Sequence, residues 1–313
     1  MEQKEIEWKG RQAGGLLAGL GAPGVVLAAR CSPGDAALGA AVAGLFGAAL
    51  YTIYNKWSPG RWTAAALGTA FLALAGTVAR RSGACFPQWE QEPWIPVTLL
   101  ALAAWTLRDG GARARGCGGA LWLAAPLSMA VLLASAAGDG LGPLEPGPGT
   151  VGWTQLAALL APGYAAVFAL PMRKREAAKA LRLGWAAGAL CVFSALAARA
   201  VLGTALQNTL EAPFDALMRA GRVLGIAERF EAGAAAVLTA DLFLGLCLYG
   251  AAADRMLRRA GMKNGAAICF FFGAGAIALA QTGVSKMTGE MATAIFCGLM
   301  FVYLLNVVLR KKV

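Results

Sequence analysis

The 313-residue chain has no histidine. Without an imidazole, the Ser–His and Cys–His nucleophile pairs are excluded, and no CxxC or Cys/His spacing offers a metal site, so no cofactor is expected. Charge is scarce as well: 14% of residues are Asp, Glu, Lys or Arg, against about a quarter in soluble domains. No stretch outside the apolar runs is long enough for a soluble domain. The longest connection, 202–231, is itself amphipathic.

What the chain has in quantity is apolar length. It is 58% hydrophobic, with a mean hydropathy of +0.59. A bilayer-spanning helix needs about 20 apolar residues. We read ten spans, at 13–29, 36–55, 62–79, 93–107, 116–138, 151–172, 183–198 with an extension at both ends, 232–253, 264–285 and 291–309, in a single polytopic membrane domain over 1–313. The fourth is the weakest, confined between Glu92 and Arg108 with Pro93 and Pro96 at its start. The net charge of +11 does not indicate nucleic acid, because Lys and Arg occupy short loops between spans. With the N-terminus inside, the outer segments hold only Arg30, Arg80, Arg81, Arg199, Arg219, Arg222, Arg229 and Lys286. The rest of the 28 Lys and Arg residues lie in the inner segments. The positive-inside rule then puts both termini in the cytoplasm and requires an even number of spans. Glu2, Glu5 and Glu7 precede the first span and no small-residue cleavage site follows a short apolar core, so no cleavable signal is expected.

Of seven cysteines, Cys191, Cys247, Cys269 and Cys297 lie inside spans as small hydrophobes, and Cys117 lies near the inner face. Cys31 and Cys85 both fall on the outer side, which leaves a disulfide between them open. The stretch 140–149 is a Gly/Pro-rich outer connector. Residues 211–229 carry charge at helical spacing and read either as an amphipathic segment on the outer surface or as a solvated loop.

Two spans carry turn-forming residues near their centres. The first has Gly19, Gly21, Ala22, Pro23 and Gly24; the sixth has Pro162, Gly163 and Tyr164. Gly costs a helix about 1 kcal/mol and Pro about 3. These spans stand five apart in a ten-span chain, and interrupted helices at matching positions of two halves point to a transporter binding site. The competing reading is close helix packing, which many small residues also serve. The remaining signal is Asp241, the one charged residue of the apolar run 232–253. An ionisable group at membrane depth faces a bundle interior or a wet cavity. Ala234, Leu238, Gly245 and Tyr249 share its helix face, and Thr239 is its close polar neighbour in sequence.

These features resemble the endospore germination permease family, the B subunit of spore germinant receptors, within the amino acid–polyamine–organocation transporter superfamily. Arg11-Gln12 opens the first span as in that family. Pro33-Gly34-Asp35-Ala36 resembles its Gly-Gln-Asp-Ala-Trp opening of the second span, without the Gln and Trp. Asp109-Gly110-Gly111, followed by Arg113 and Arg115, looks like its cytoplasmic Gly-Ile-Glu loop. Leu170-Pro171 with the basic run 173–179 fits the end of its sixth span. Leu202-Gly203 and Pro213 resemble its long outer loop, and Gly225, Glu228, Arg229, Glu231 and Ala232 match its most specific pattern. The family's Glu after the sixth-span Gly is missing, as is the Trp of its eighth span, and the fifth span, 116–138, has no Lys.

The resemblance implies an all-α membrane fold of ten transmembrane helices in a five-plus-five inverted repeat with broken helices 1 and 6. The repeats are 10–138 and 151–309, joined by the linker 139–150. It implies a non-enzymatic subunit in the cell membrane or spore inner membrane that binds a small nutrient, an amino acid, at mid-membrane. Its partners are the membrane A subunit and the lipoprotein C subunit of the receptor. On this reading the backbone at Gly19, Gly21, Ala22, Pro23, Gly24, Pro162, Gly163 and Tyr164 binds the ligand, with Thr239 and Asp241 as the polar wall. An amino acid transporter of the same fold is the alternative. A membrane enzyme acting on lipid or peptide is disfavoured by the missing histidine and the lack of paired mid-membrane carboxylates.

The charge distribution has a direct test. Reporter fusions after Arg61 and after Arg175 should report inside, and a fusion within 140–149 should report outside; an outer C-terminus would overturn the topology.

Overall fold

The computed structural model describes residues 7–54, 59–84, 94–109, 111–137, 142, 144, 146–220, 230–262 and 264–281. Among these the chain is all-helical, with eleven helices: α1 (Gly10–Ala28), α2 (Pro33–Ile53), α3 (Arg61–Ala84), α4 (Trp94–Leu107), α5 (Ala112–Leu121), α6 (Ala124–Ala137), α7 (Trp153–Ala169), α8 (Lys174–Thr209), α9 (Pro213–Ala220), α10 (Phe230–Ala260) and α11 (Gly265–Gln281). Four stretches are long and apolar enough to cross a membrane: Pro33–Ile53, Ala112–Ser135, Lys174–Thr209 and Gly233–Ala260. Trp94–Leu107 and Trp153–Ala169 are apolar but shorter. Large apolar side chains stand on the outside of the bundle, among them Leu45 at 63%, Trp94 at 61% and Phe271 at 68% exposed. A surface of that kind needs lipid around it. The tenth expected span, 291–309, lies outside the described residues, as do Cys85, Cys297 and most of the family-like segment 224–232.

Local chemistry starts the helices where the sequence provides caps. Ser32 precedes α2, with its Oγ accepting from the Asp35 N–H at 3.0 Å and Pro33 at the first helical position, where a missing N–H costs nothing. The Gln12 side chain accepts from the Lys9 N–H at 3.0 Å at the start of α1. Glu176, in the first turn of α8, accepts from the Gly10 N–H at 2.7 Å and so joins the starts of two helices. Cys31 is a buried free thiol, so the disulfide left open for it is not formed. Burial, with the Asp35 charge adding to it, pushes that thiol up to about 11.

The expected breaks in the first and sixth spans are not there. α1 runs as a helix through Gly19, Gly21, Ala22, Pro23 and Gly24, and α7 runs through Pro162, Gly163 and Tyr164. In an apolar interior each unpaired backbone group costs several kcal/mol, so the chain gives up only the bonds proline forbids. The small residues serve close approach instead. Every residue of α1 from 13 to 25 is buried, with α8, α5, α10 and α7 packed around it. Gly15 and Gly118 of α5 face each other at the tightest crossing: a Cβ on Gly15 would stand 2.9 Å from Trp122 Cα and closer still to the Gly118 carbonyl.

The interruptions fall elsewhere. The fifth span divides into α5 and α6 at Trp122–Leu123, four and three residues before Pro126, which cannot donate back to Trp122. Within α8, Gly203 leaves helical geometry at φ 72°, ψ 169°, a conformation open to glycine. The helix continues past it to Thr209 and starts at Lys174, so the seventh span extends at both ends as expected.

The helices pair in a regular way. α1 packs on α7 and α8, α2 on α7 and α8, α3 on α10, and α4 on α11. Two short backbone pairings sit at opposite ends of α1. Trp8, before α1, pairs with Met172, after α7; Cys31, after α1, pairs with Val151, before α7. The start of each helix therefore meets the end of the other, and α1 and α7 are antiparallel.

The α1–α5 crossing should tolerate no side chain. Gly15→Val should cut the yield of folded, membrane-extracted protein severalfold, since overpacking costs about 1–3 kcal/mol and here the obstacle is backbone. Gly116→Val, in α5 with nothing within 4 Å of the added Cβ, should leave the yield unchanged. Size-exclusion chromatography of tagged protein reads both.

Candidate functional site

Asp241 stands near the middle of the apolar run 232–253 in α10, on the face that also carries Ala234, Leu238, Leu242 and Tyr249. These four are 0–3% exposed and Asp241 is 3% exposed. It makes no hydrogen bond or ion pair among the described residues. A buried carboxylate without a partner is rare enough to require an explanation. The apolar run 232–253 around it carries no other charged residue.

Three helices meet here. α1 passes so close that a Cβ on Gly19 would lie 2.5 Å from the Asp241 carbonyl oxygen. Leu20, next along α1, covers Gly245 of α10, where an added Cβ would meet Leu20 Cδ2 at 2.9 Å. The same Leu20 and Leu17 cover Gly163 of α7, at 3.0 Å each from a Cβ built there. Leu20 thus joins the two glycines across the α1–α7–α10 junction. One turn further, Tyr249 stacks on Phe71 of α3, ring centroids 6.3 Å apart.

Pro23 adds a second acceptor to this junction. It has no N–H, so the Gly19 carbonyl, four residues earlier, loses its helical donor. Pro162 does the same to the carbonyl of Ala158 in α7. The Asp241 carboxyl and the Gly19 carbonyl are two acceptors on adjacent helices whose main chains meet at Gly19. Chemically this suits an ammonium group or another small cation.

The sequence-derived residues therefore separate. Gly19 meets the Asp241 main chain, and Leu20 beside it covers Gly163 and Gly245. Gly21 faces Ala187 of α8, 3.1 Å from an added Cβ, and Gly24 faces Leu160 and Cys191 at 2.8 and 3.0 Å. Ala22 and Pro23 are buried in the same helix. The Tyr164 ring is wedged against Gly47 of α2 and Gly184 of α8, on the side of α7 away from that junction. The Thr239 hydroxyl donates to the Ala235 carbonyl of its own helix at 2.8 Å. Two residues from Asp241 on a helix is about 200° of rotation, so Thr239 is not part of the same wall.

Other buried polar groups were not singled out by the sequence. Asp254 of α10, 4% exposed, accepts from Arg258 Nε at 2.7 Å, and its Oδ1 has no partner. Its neighbours Arg255 and Arg258 make it read as loop. Ser194 donates to the Val25 carbonyl at 2.8 Å, and Thr106 to Ala103 at 2.8 Å. Arg199, 1% exposed, donates to Thr204 Oγ1 at 2.7 Å and to the Gly147 carbonyl at 3.2 Å. Gln207 is fully buried; the position of both at the extended end of the seventh span, past residue 198, hid them. Among the described residues no group of three His, Cys, Asp or Glu side chains converges as a metal would need. No protein-family model and no curated protein matches the chain.

The two buried aspartates should respond in opposite ways to an apolar replacement. Asp241→Val removes an unpartnered carboxylate, worth about 2.5–3.5 kcal/mol on insertion scales, and should keep or raise the apparent Tm in detergent. Asp254→Val breaks a hydrogen-bonded pair and should lower it, by about 1–3 kcal/mol. A fall in Tm for Asp241→Val would mean that the carboxylate has a structural partner.

Proposed function

We propose that this protein is a ten-span, permease-like subunit of a spore germinant receptor that binds a small amine-bearing nutrient, an amino acid, at the α1–α7–α10 junction. The observation that carries the reading is Asp241: a buried carboxyl with no bonded partner among the described residues, on the helix whose main chain meets α1 at Gly19. The ligand's ammonium supplies the missing donors. Its carboxylate sits on the α7 side, where Gly163 leaves room once Leu20 moves.

The pairing of the helices supports the five-plus-five repeat. Let α1, α2, α3, α4 and α5–α6 be the first five spans, and α7, α8, α10 and α11 the next four. Exchanging the halves maps the contacts α1–α7, α2–α8, α3–α10 and α4–α11 onto themselves, and α2–α7 onto α1–α8. It also turns the Trp8–Met172 pairing into the Cys31–Val151 pairing at the opposite end. An exchange that swaps the two ends of the bundle is an inverted relation, as in transporters whose sites lie at the repeat interface. With the charge distribution, the Trp8–Met172 end is cytoplasmic and the Cys31–Val151 end is outside. The continuity of α1 and α7 departs from the family pattern of broken helices.

Binding then biases one arrangement of α1 and α7 against the rest, by no more than the ligand's difference in affinity for the two arrangements. The membrane A subunit and the lipoprotein C subunit read that bias. The protein does no chemistry on the ligand. A transporter of the same fold differs in one measurable respect, net flux of the amino acid.

Asp241→Asn keeps the shape and removes the charge. In an otherwise complete receptor, the response to amino acids should fall at least tenfold in sensitivity, while the amount of protein in the membrane stays near normal. An unchanged response at an unchanged level would remove Asp241 from the site.

A further inference from the structure

At each end of the bundle, a side chain from the opposite half ties down the last residues of a first helix. The end of α7 turns extended at Leu170. Tyr54, at the end of α2, reaches it: its hydroxyl lies 2.9 Å from the Leu170 carbonyl and 2.8 Å from that of Met172, and accepts from the Met172 N–H at 2.8 Å. The Tyr54 ring packs on Phe168 with centroids 5.6 Å apart. At the other end, the last residues of α1 are held by Gln207, at the end of α8. Its Nε2 donates to the Ala29 carbonyl at 2.7 Å and to the Cys31 carbonyl at 3.1 Å.

The correspondence is positional. α2 and α8 are the second helices of the two halves, and α1 and α7 are the first. Tyr54 holds the two carbonyls, Leu170 and Met172, that flank Pro171; Gln207 holds the two, Ala29 and Cys31, that flank Arg30. The held segments are the ones that form the backbone pairings at the two ends, Met172 with Trp8 and Cys31 with Val151. Neither contact follows from apolar packing, because both side chains pass polar atoms into buried surroundings to reach main chain.

We propose that Tyr54 and Gln207 are reciprocal latches: each ties the end of the opposite half's first helix to its own half, and the bundle opens at one end by releasing one latch while the other holds. This rests on the inverted-repeat reading above. With both bonded, the last residues of both first helices are tied down, and Asp241 between them is 3% exposed. The two latches are not equal. Tyr54 uses its hydroxyl as donor and acceptor, whereas Gln207 Oε1 is buried without a donor. Release to water would satisfy that oxygen, so the Gln207 end opens first. Gly203, at φ 72°, lies four residues before Gln207 and is the backbone position about which residues 204–209 would swing away.

The test uses the purified full-length chain in nanodiscs without ligand, so that both ends are accessible and the outcome is independent of what binds Asp241. Native Cys31, buried and beside the Gln207 contact, reports one end; Met172→Cys reports the other. Maleimide labelling of each is timed by mass spectrometry. Gln207→Leu should speed labelling at Cys31 about tenfold and leave position 172 unchanged. Tyr54→Phe should speed labelling at position 172 about tenfold and leave Cys31 unchanged or slower. Gln207→Asn, too short to span both carbonyls, should repeat the Gln207→Leu pattern if that variant is not recovered folded. Equal acceleration at both ends, no change at either end in folded protein, or failure of both Gln207 variants to fold would overturn the proposal. A null result for Asp241→Asn in the receptor leaves this labelling pattern standing, and the reverse holds too.

Discussion

The rest of the structure depends on how closely other helices approach α1. Where Gly15 meets Gly118 and Gly19 meets the Asp241 backbone, no side chain separates the two main chains. Hydrophobic driving force is small between helices in lipid, and van der Waals contact at short distance does the work instead. Small residues on several sides let α5, α7, α8 and α10 gather around one helix. That arrangement buries every residue from 13 to 25 and fixes where the α10 carboxylate ends up.

The same closeness explains why glycine and proline do not unwind α1. Unwinding would expose backbone groups to an apolar interior and would push apart four neighbours that rest on the glycines. Proline's effect is then local. Pro23 removes one donor and leaves one carbonyl, that of Gly19, short of a bond. It does so in the helix that meets the Asp241 main chain, and the Asp241 carboxyl has no bonded partner among the described residues. Two separate sequence signals, a proline in one helix and an aspartate in another, come to neighbouring helices because Gly19 permits main-chain contact.

The two ends of the bundle show a different economy. Membrane helices satisfy their own backbone in mid-span, but their ends carry carbonyls that need outside donors. Here Tyr54 and Gln207 supply them from the neighbouring half, with Ser194 and Arg255 adding donors to Val25 and Ala169. Polar contacts that pair one half with the other at each end, and an apolar small-residue contact in between, make a bundle that is tight at its centre and conditional at its ends.

Much of this was legible in the chain itself. Apolar runs of spanning length, the near absence of charge within them and the lack of histidine determined an all-helical membrane protein without imidazole chemistry, because backbone satisfaction in lipid leaves helices as the solution for such runs. Asp241 was conspicuous for the same reason. What the sequence by itself left undetermined was partnership. A glycine run reads alike whether it breaks a helix or receives a neighbour, and only the approach of α5, α8 and α10 decided for the latter in α1. The nearness of Thr239 in sequence meant nothing once helical rotation turned it to another side. Gln207 and Tyr54 read as ordinary residues at span ends, since their partners lie 176–178 and 116–118 positions away. Contacts at that separation are set by how helices pack, and no local pattern in the chain records them.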